Sequence, residues 1–259
     1  MTHHNLPQNW DFFMCRIEGV PASIRTNLAL FELAPLEGLS QRLQFYIKMK
    51  NPTSDGFPSK EEYPILCDIE DAINEKAEPT GAVLAGVVKS EGFLELWFYC
   101  NNAEVLAQTC EEALQAFEGY KSGYNTAEDA QWEDYFDFLY PDEFSYQMMQ
   151  NRKVLMQLEK KGDKIEVPRE IDHFIYFKSE AQQQGFAEKV AEKGYKVRLS
   201  DEKTVEERKS EGHTFPYTVE ATREDSPLDI NNIVWELIEL ASSFEGEYDG
   251  WGCVNVTDN

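Results

Sequence analysis

The sequence predicts an α+β protein built as two domains, and three observations carry that reading. Strand-type alternation of apolar and polar residues recurs along the chain, separated by stretches of helical spacing. A length of 259 residues is comfortable for two domains of ordinary size. The polar stretch Lys160-Lys161-Gly162-Asp163 separates two self-contained runs of elements. We place the domains at residues 1–141 and 165–259, with a helical linker over 142–164.

In the first half, Trp10 to Ile17 is aromatic and β-prone and reads as a strand. Glu18-Gly19-Val20-Pro21 follows as a turn, and Ile24 to Phe31 completes a hairpin. Leu43, Phe45, Ile47 and Met49 alternate with Gln44, Tyr46 and Lys48, as in a half-buried strand. After the Pro/Gly loop 51–58, Ser59 and Glu62 have capping-box spacing and open a helix with Leu66, Ile69 and Ile73 inward. Gly81 to Lys89 and Phe93 to Cys100 pair around the Ser90-Glu91-Gly92 turn. Asn102 caps a second helix that buries Val105, Leu106, Cys110, Ala113, Leu114 and Phe117 and stops at Gly119, with a short closing strand over 119–124. The result is a mainly antiparallel sheet with helices on one face. Glu128 to Glu143 is densely acidic yet aromatic, and Trp132, Phe136 and Leu139 fall at helical spacing. Asp142 to Lys161 continues as a helix with Met148, Leu155 and Leu158 at packing positions.

In the second half, Ile171, His173, Ile175 and Phe177 alternate along a strand. Ser179 and Gln182 cap a helix with Phe186 and Val190 inward, closed by Gly194. Tyr195 to Leu199 is a strand, Asp201 to Gly212 a charged, mobile loop, and Phe215 to Thr222 a third strand. Ser226-Pro227 opens a helix whose core face is Ile230, Ile233, Val234, Leu237, Ile238 and Ala241. Glu247 to Val256 is the last strand. The order β-α-β-β-α-β is the ferredoxin-like pattern.

Charge narrows the function. With 48 acidic and 24 basic residues the net is −24. Such a polyanion is repelled by nucleic acid and by anionic membranes, and it attracts basic partners. An acidic surface also serves solubility alone. The five cysteines, Cys15, Cys67, Cys100, Cys110 and Cys253, are odd in number and widely spaced, which argues against a disulfide framework or a zinc knot and suits the reducing cytoplasm. Met1 to Asn9 lacks the apolar segment of a signal peptide, and no stretch approaches the roughly 18 apolar residues of a membrane span. No nucleophile elbow, zinc-protease motif, P-loop or dinucleotide fingerprint is present. We expect no catalytic residue, cofactor or metal. His3 and His4 fall at the terminus. His173 reads as a core histidine with Asp172 on the opposite face, and His213 lies in the charged loop.

The element order, together with the run Gly246-Glu247-Tyr248-Asp249-Gly250-Trp251-Gly252, resembles the family of bacterial regulators of ribonuclease E activity (regulator B). Ile171-Asp172-His173 and Lys193-Gly194-Tyr195-Lys196-Val197 are similar to that family as well, and the likeness covers about residues 165–256. It implies a protein that binds the ribonuclease and lowers its cleavage of RNA. Residues about 8–140 resemble a second bacterial family, known only as a domain of unknown function. That likeness rests on Trp10, Glu18-Gly19-x-Pro21-Ala22, Asn51-Pro52, Gly56-x-Pro58, Ile69-Glu70-Asp71 and Trp132-x-x-Tyr135-x-x-Phe138-Leu139-Tyr140-Pro141.

Two groups are candidates for partner binding. Tyr248, Asp249 and Trp251 offer flat, rigid contact area, although Asp249-Gly250 also suggests a bulge, Gly252 a close backbone approach and Trp251 a core residue. Glu128, Asp129, Glu133, Asp134 and Asp137 could pair with a basic segment while neighbouring aromatic edges take cation–π contacts; a solvated acidic helix face is the alternative. The expected function is a non-catalytic, acidic binding protein acting on a basic protein partner such as a ribonuclease. The rivals are a small-ligand or enzymatic role in a cleft between the domains, and a self-associating module.

Overall fold

The structure, a computed structural model, describes residues 6–257, so His3 and His4 lie outside the described residues. The chain divides into two compact units, one reaching to Met149 and the other beginning at Gln150.

The first unit contains β1 (Trp10–Ile17), β2 (Val20–Asn27), β3 (Gln41–Lys48), α1 (Tyr63–Ala77), β4 (Val83–Ser90), β5 (Phe93–Cys100), α2 (Ala103–Leu114) and β6 (Lys121–Glu128). Its six strands form one antiparallel sheet in the order β1-β2-β4-β5-β3-β6. The period-2 alternation of β3 and β5 sends Leu43, Phe45, Ile47, Leu94, Leu96 and Phe98 to one face, where α1 and α2 bury them under Leu66, Ile69, Ile73, Leu106 and Cys110. The capping box of α1 is half formed. The Ser59 hydroxyl accepts the Glu62 N–H at 3.2 Å, but the Glu62 carboxylate takes the N–H groups of Lys50 and Asn51 at 2.7 Å each and so closes the Pro/Gly loop.

The opposite face of this sheet is covered as well. Phe13, Ile24, Ala85, Val88, Trp97 and Tyr99 pack against Trp132, Tyr135, Leu139 and Met149. The expected helix over 128–143 is therefore corrected. Glu128 ends β6, and helical structure narrows to a wide π-type turn at Tyr135–Leu139, closed by the Tyr140 N–H on the Tyr135 carbonyl at 2.7 Å. Trp132 is the cause. It holds a left-handed backbone, φ +58°, which no helix can run through. Its indole lies flat on Tyr99, ring centroids 3.8 Å apart, and its Nε1–H donates to the Leu39 carbonyl at 2.9 Å.

α3 (Glu143–Lys160) starts in the first unit and ends in the second, and Met149 rather than Met148 is its buried methionine. The second unit continues with β7 (Arg169–Phe177), α4 (Glu180–Glu192), β8 (Lys196–Leu199), α5 (Glu202–Ser210), β9 (Tyr217–Asp225), α6 (Ile230–Ser243) and β10 (Glu247–Cys253). The order β10-β7-β9-β8, antiparallel throughout, is the ferredoxin-like sheet that the element order predicts. The α4 capping box forms in both directions between Ser179 and Gln182. α6 presses Ile233, Leu237 and Ala241 onto Ile175 and Phe177, and Ile230, Val234 and Ile238 onto Ile171. One expectation fails here: residues 202–210 are helical rather than a mobile loop. Asp201 caps them by accepting the Thr204 N–H at 2.8 Å, and Val205 is the single apolar side chain they bury.

Candidate partner-binding face

Strand β10 runs along the edge of the second sheet and, among the described residues, pairs only with β7. In a regular strand Tyr248 and Trp251, three residues apart, would point to opposite faces. The register shifts between Tyr248 and Gly250, which leaves Asp249 as an extra residue. Tyr248 thus stands opposite Ile175 and Trp251 opposite His173, so both rings reach the helix-covered side. There Tyr248 packs beside Ile175 and Leu237, and Trp251 beside Ile171 and Val234. The Trp251 Nε1–H donates to Asn151 Oδ1 at 3.0 Å. The crowded glycine of the run is Gly246, where a Cβ would sit 2.2 Å from the Phe177 ring. A Cβ on Gly252 would meet nothing within 4 Å, so the expected close approach there is not found.

His173 is fully buried, as its parity predicts, and its Nδ1 lies 2.8 Å from the Tyr248 hydroxyl. Burial, reinforced by the Arg223 charge, pushes its pKa down to about 3. Burial likewise pushes the Tyr195 hydroxyl, whose ring is edge-on to His173, up to about 12. The imidazole is therefore a neutral structural group facing Tyr248, Tyr195 and Arg223. An unfolded chain protonates this residue near the ordinary histidine value of 6.5, whereas the fold resists protonation down to about 3. The stability held by the neutral ring is thus complete above pH 6.5 and is lost as pH falls toward 3. Between pH 6.5 and 5, where carboxylates titrate little, stability should drop by up to about 1.4 kcal/mol per pH unit. Urea titrations of the wild type and His173→Gln over this window should show a flatter slope in the variant. Equal slopes would remove His173 from the acid response.

The other side of the sheet is uncovered by α4 and α6. Along β7 it carries Asp172, Phe174 and Tyr176, whose parity is opposite to the core residues. Phe174 stands between Gly250 on β10 and Glu220 on β9, and Asp172 between Gly252 and Thr222. A Cβ on either glycine would meet open space, so the β10 positions opposite Phe174 and Asp172 place no side chain beside the ring, and Phe174 remains 36% exposed. Thr222 donates its hydroxyl to Asp172 at 2.6 Å, and Tyr176 donates to Asp249 at 3.0 Å. Arg198 pairs with Glu220, and Lys196 with Glu170. From α5, the Arg208 guanidinium lies over the Tyr176 ring, 4.6 Å from its centroid. Of the three candidates Tyr248, Asp249 and Trp251, this side receives Asp249 alone, and Glu247, opposite Tyr176, lies on it as well. Phe174 was not singled out, because the signal that exposes it is the pairing register with two glycines distant in sequence.

The acidic candidates of the first unit divide differently. Asp129 is buried and accepts the Tyr99 hydroxyl at 2.6 Å and the N–H groups of Glu133 and Asp134. Asp134 pairs with Arg42 at 2.7 Å, and Glu128 accepts from the Gln41 amide at 2.6 Å. Glu133 and Asp137 are exposed, but of the rings beside them Trp132 and Tyr135 are buried, and Phe136 and Phe138 are half-buried against the same apolar cluster. In the same unit a depression of about 380 Å³ lies beside Trp10, Arg25, Glu70 and Asn74, with Arg25 paired to Glu70 and stacked on Trp10. Among the described residues no cluster of three or more metal-ligating side chains occurs, and no helix is long and apolar enough to cross a membrane. His213 pairs with Glu211 at 3.4 Å.

The family described as "Family of unknown function (DUF695)" matches residues 8–140, just over half of the chain. The chain belongs to that family. Directly after it, residues 148–253 match the family described as "Regulator of ribonuclease activity B", which takes in the whole of β7 through β10. No curated protein matches. A crystal structure of an unknown protein from Galdieria sulphuraria aligns over 81% of this chain and 96% of its own, at 10% identity and a TM-score of 0.23.

Proposed function

We propose that this protein is a non-catalytic regulator that binds a basic, RNA-processing ribonuclease and lowers its activity. The observation that carries the reading is the match of residues 148–253 to the regulator of ribonuclease activity B family. Two physical features support it. The net charge of −24 draws the chain toward cationic surfaces, and ribonucleases present such surfaces to bind RNA phosphates. The second sheet also keeps an acidic face with an exposed ring, while its His173 is a buried structural group rather than an acid–base catalyst. Glu133 and Asp137 of the first unit add to the long-range field. We place the encounter in the cytoplasm, where the free thiols stay reduced.

Calorimetric titration of the full chain into a purified ribonuclease E-type endonuclease, without RNA, tests the binding half of this reading. The expected result is saturable binding that weakens from low to high salt, because exposed charges are screened beyond about 8–10 Å. Absence of heat at both salt levels would overturn it. Binding of equal strength at both would remove its electrostatic basis.

A further inference from the structure

We infer that the open face of the second sheet is a seat for an arginine-bearing cationic segment of a partner protein, with Phe174 as the aromatic contact and Asp172, Glu220 and Asp249 as the carboxylates around it. The inference rests on the binding role proposed above and specifies where and by what chemistry it operates.

The first ground is the ring. Phe174 lies on β7, a central strand, yet is 36% exposed. On β10, Gly250 directly opposite and Gly252 diagonally leave open space where side chains would stand, with Glu247 and Asp249 on the other diagonal beside Tyr176, so the ring is open toward the sheet edge on the glycine side. A flat group can therefore approach it. The second ground is charge. Asp172, Glu220 and Asp249 lie on the same side of the sheet, on the strands that carry or flank the ring. Each carboxylate already accepts one neighbour, and each keeps acceptor capacity for another donor. The third ground is a built-in example of the same chemistry. One row away, the Arg208 guanidinium lies over Tyr176 while the Tyr176 hydroxyl donates to Asp249. A guanidinium over Phe174 would repeat that arrangement.

The chemistry favours arginine over lysine. A planar guanidinium stacks on a ring while its fork of N–H groups reaches carboxylates at the sides, whereas an ammonium is a compact, strongly hydrated charge. Nucleic acid and anionic lipid are disfavoured by the same carboxylates.

The test uses the full chain and a fluorescein-labelled nonapeptide of alternating arginine and glycine, with the lysine–glycine peptide as comparison. Fluorescence anisotropy should show tighter binding of the arginine peptide. Phe174→Leu, which keeps an apolar side chain but removes the ring, should weaken that binding about five-fold. Phe174→Ala should do at least the same. Glu75→Gln with Glu111→Gln, which removes two exposed charges from α1 and α2, should leave the affinity within about two-fold. Amide resonances of Asp172, Phe174, Glu220 and Asp249 should move on titration. Equal affinity for both peptides together with an unchanged Phe174→Leu variant would overturn the seat, as would shifts confined to the first unit. If the wild type and Phe174→Leu bind the ribonuclease equally well, the seat is wrong and the regulatory reading stands. If the peptide binds here but the ribonuclease does not bind the chain, the regulatory reading falls and the seat stands.

Discussion

Asp163→Asn should destabilise the second unit by about 3–5 kcal/mol, because it leaves a guanidinium buried without its counter-charge. The Arg169 side chain is 5% exposed and that of Asp163 fully buried. Arg169 Nη1 donates to both Asp163 oxygens at 2.8 Å and to the Val254 carbonyl at 3.1 Å, and its Nε–H donates to the Val167 carbonyl at 3.1 Å. Asp163 also receives the Val256 N–H at 2.8 Å. The pair thus fastens the segment before β7 to the segment after β10, strands that are neighbours in the sheet. Hydrogen exchange of the β7 and β10 amides in increasing urea should show the loss. Replacing both partners, Asp163→Leu with Arg169→Met, should cost less than the single change, since no charge is then stranded. A single-variant cost below about 1 kcal/mol would mean that the guanidinium finds water or another partner.

Trp132→Ala should cost the first unit a similar amount, about 3–5 kcal/mol, as large-to-small changes in a packed core do. The indole is fully buried, stacked on Tyr99 and hydrogen-bonded to the Leu39 carbonyl. Its removal opens a void beneath β4 and β5 and frees the π-type turn that follows it. The left-handed backbone supplies an internal check. Alanine is strained at φ +58° and glycine is not, so Trp132→Gly should recover about 1 kcal/mol relative to Trp132→Ala. Near-ultraviolet circular dichroism through a urea titration reads this aromatic cluster directly. A loss under about 1 kcal/mol for the alanine variant would contradict the role assigned to the ring.

Much of this architecture was legible in the sequence, because hydrophobic period is a direct record of burial. β1 runs from Trp10 to Ile17 as the residues suggest, and His173 lies in the core among Ile171 and Ile175. The ferredoxin-like order followed from element types alone. What escaped depends on partners distant in the chain. Residues 132–139 have helical spacing, but Trp132 must turn left-handed to reach Tyr99, and no local pattern encodes that demand. α5 buries one apolar residue, too few for a periodic signal, although the cap pair Asp201 and Thr204 was there to find. For the site, Asp249-Gly250 announced a bulge, but the consequence that Tyr248 and Trp251 share the buried side required the register with β7. Phe174 looks like one more strand aromatic until Gly250 and Gly252 are seen beside it.

The central claim is that this acidic chain lowers the activity of a ribonuclease by binding it. Cleavage of a fluorescent single-stranded RNA by a ribonuclease E-type endonuclease, with the full chain titrated in, tests it most directly. The account predicts that the rate falls to a plateau as the chain saturates the enzyme. It also predicts that inhibition weakens as salt rises, and that Phe174→Leu requires a higher concentration for the same effect. An unchanged rate at every concentration of the chain would contradict it.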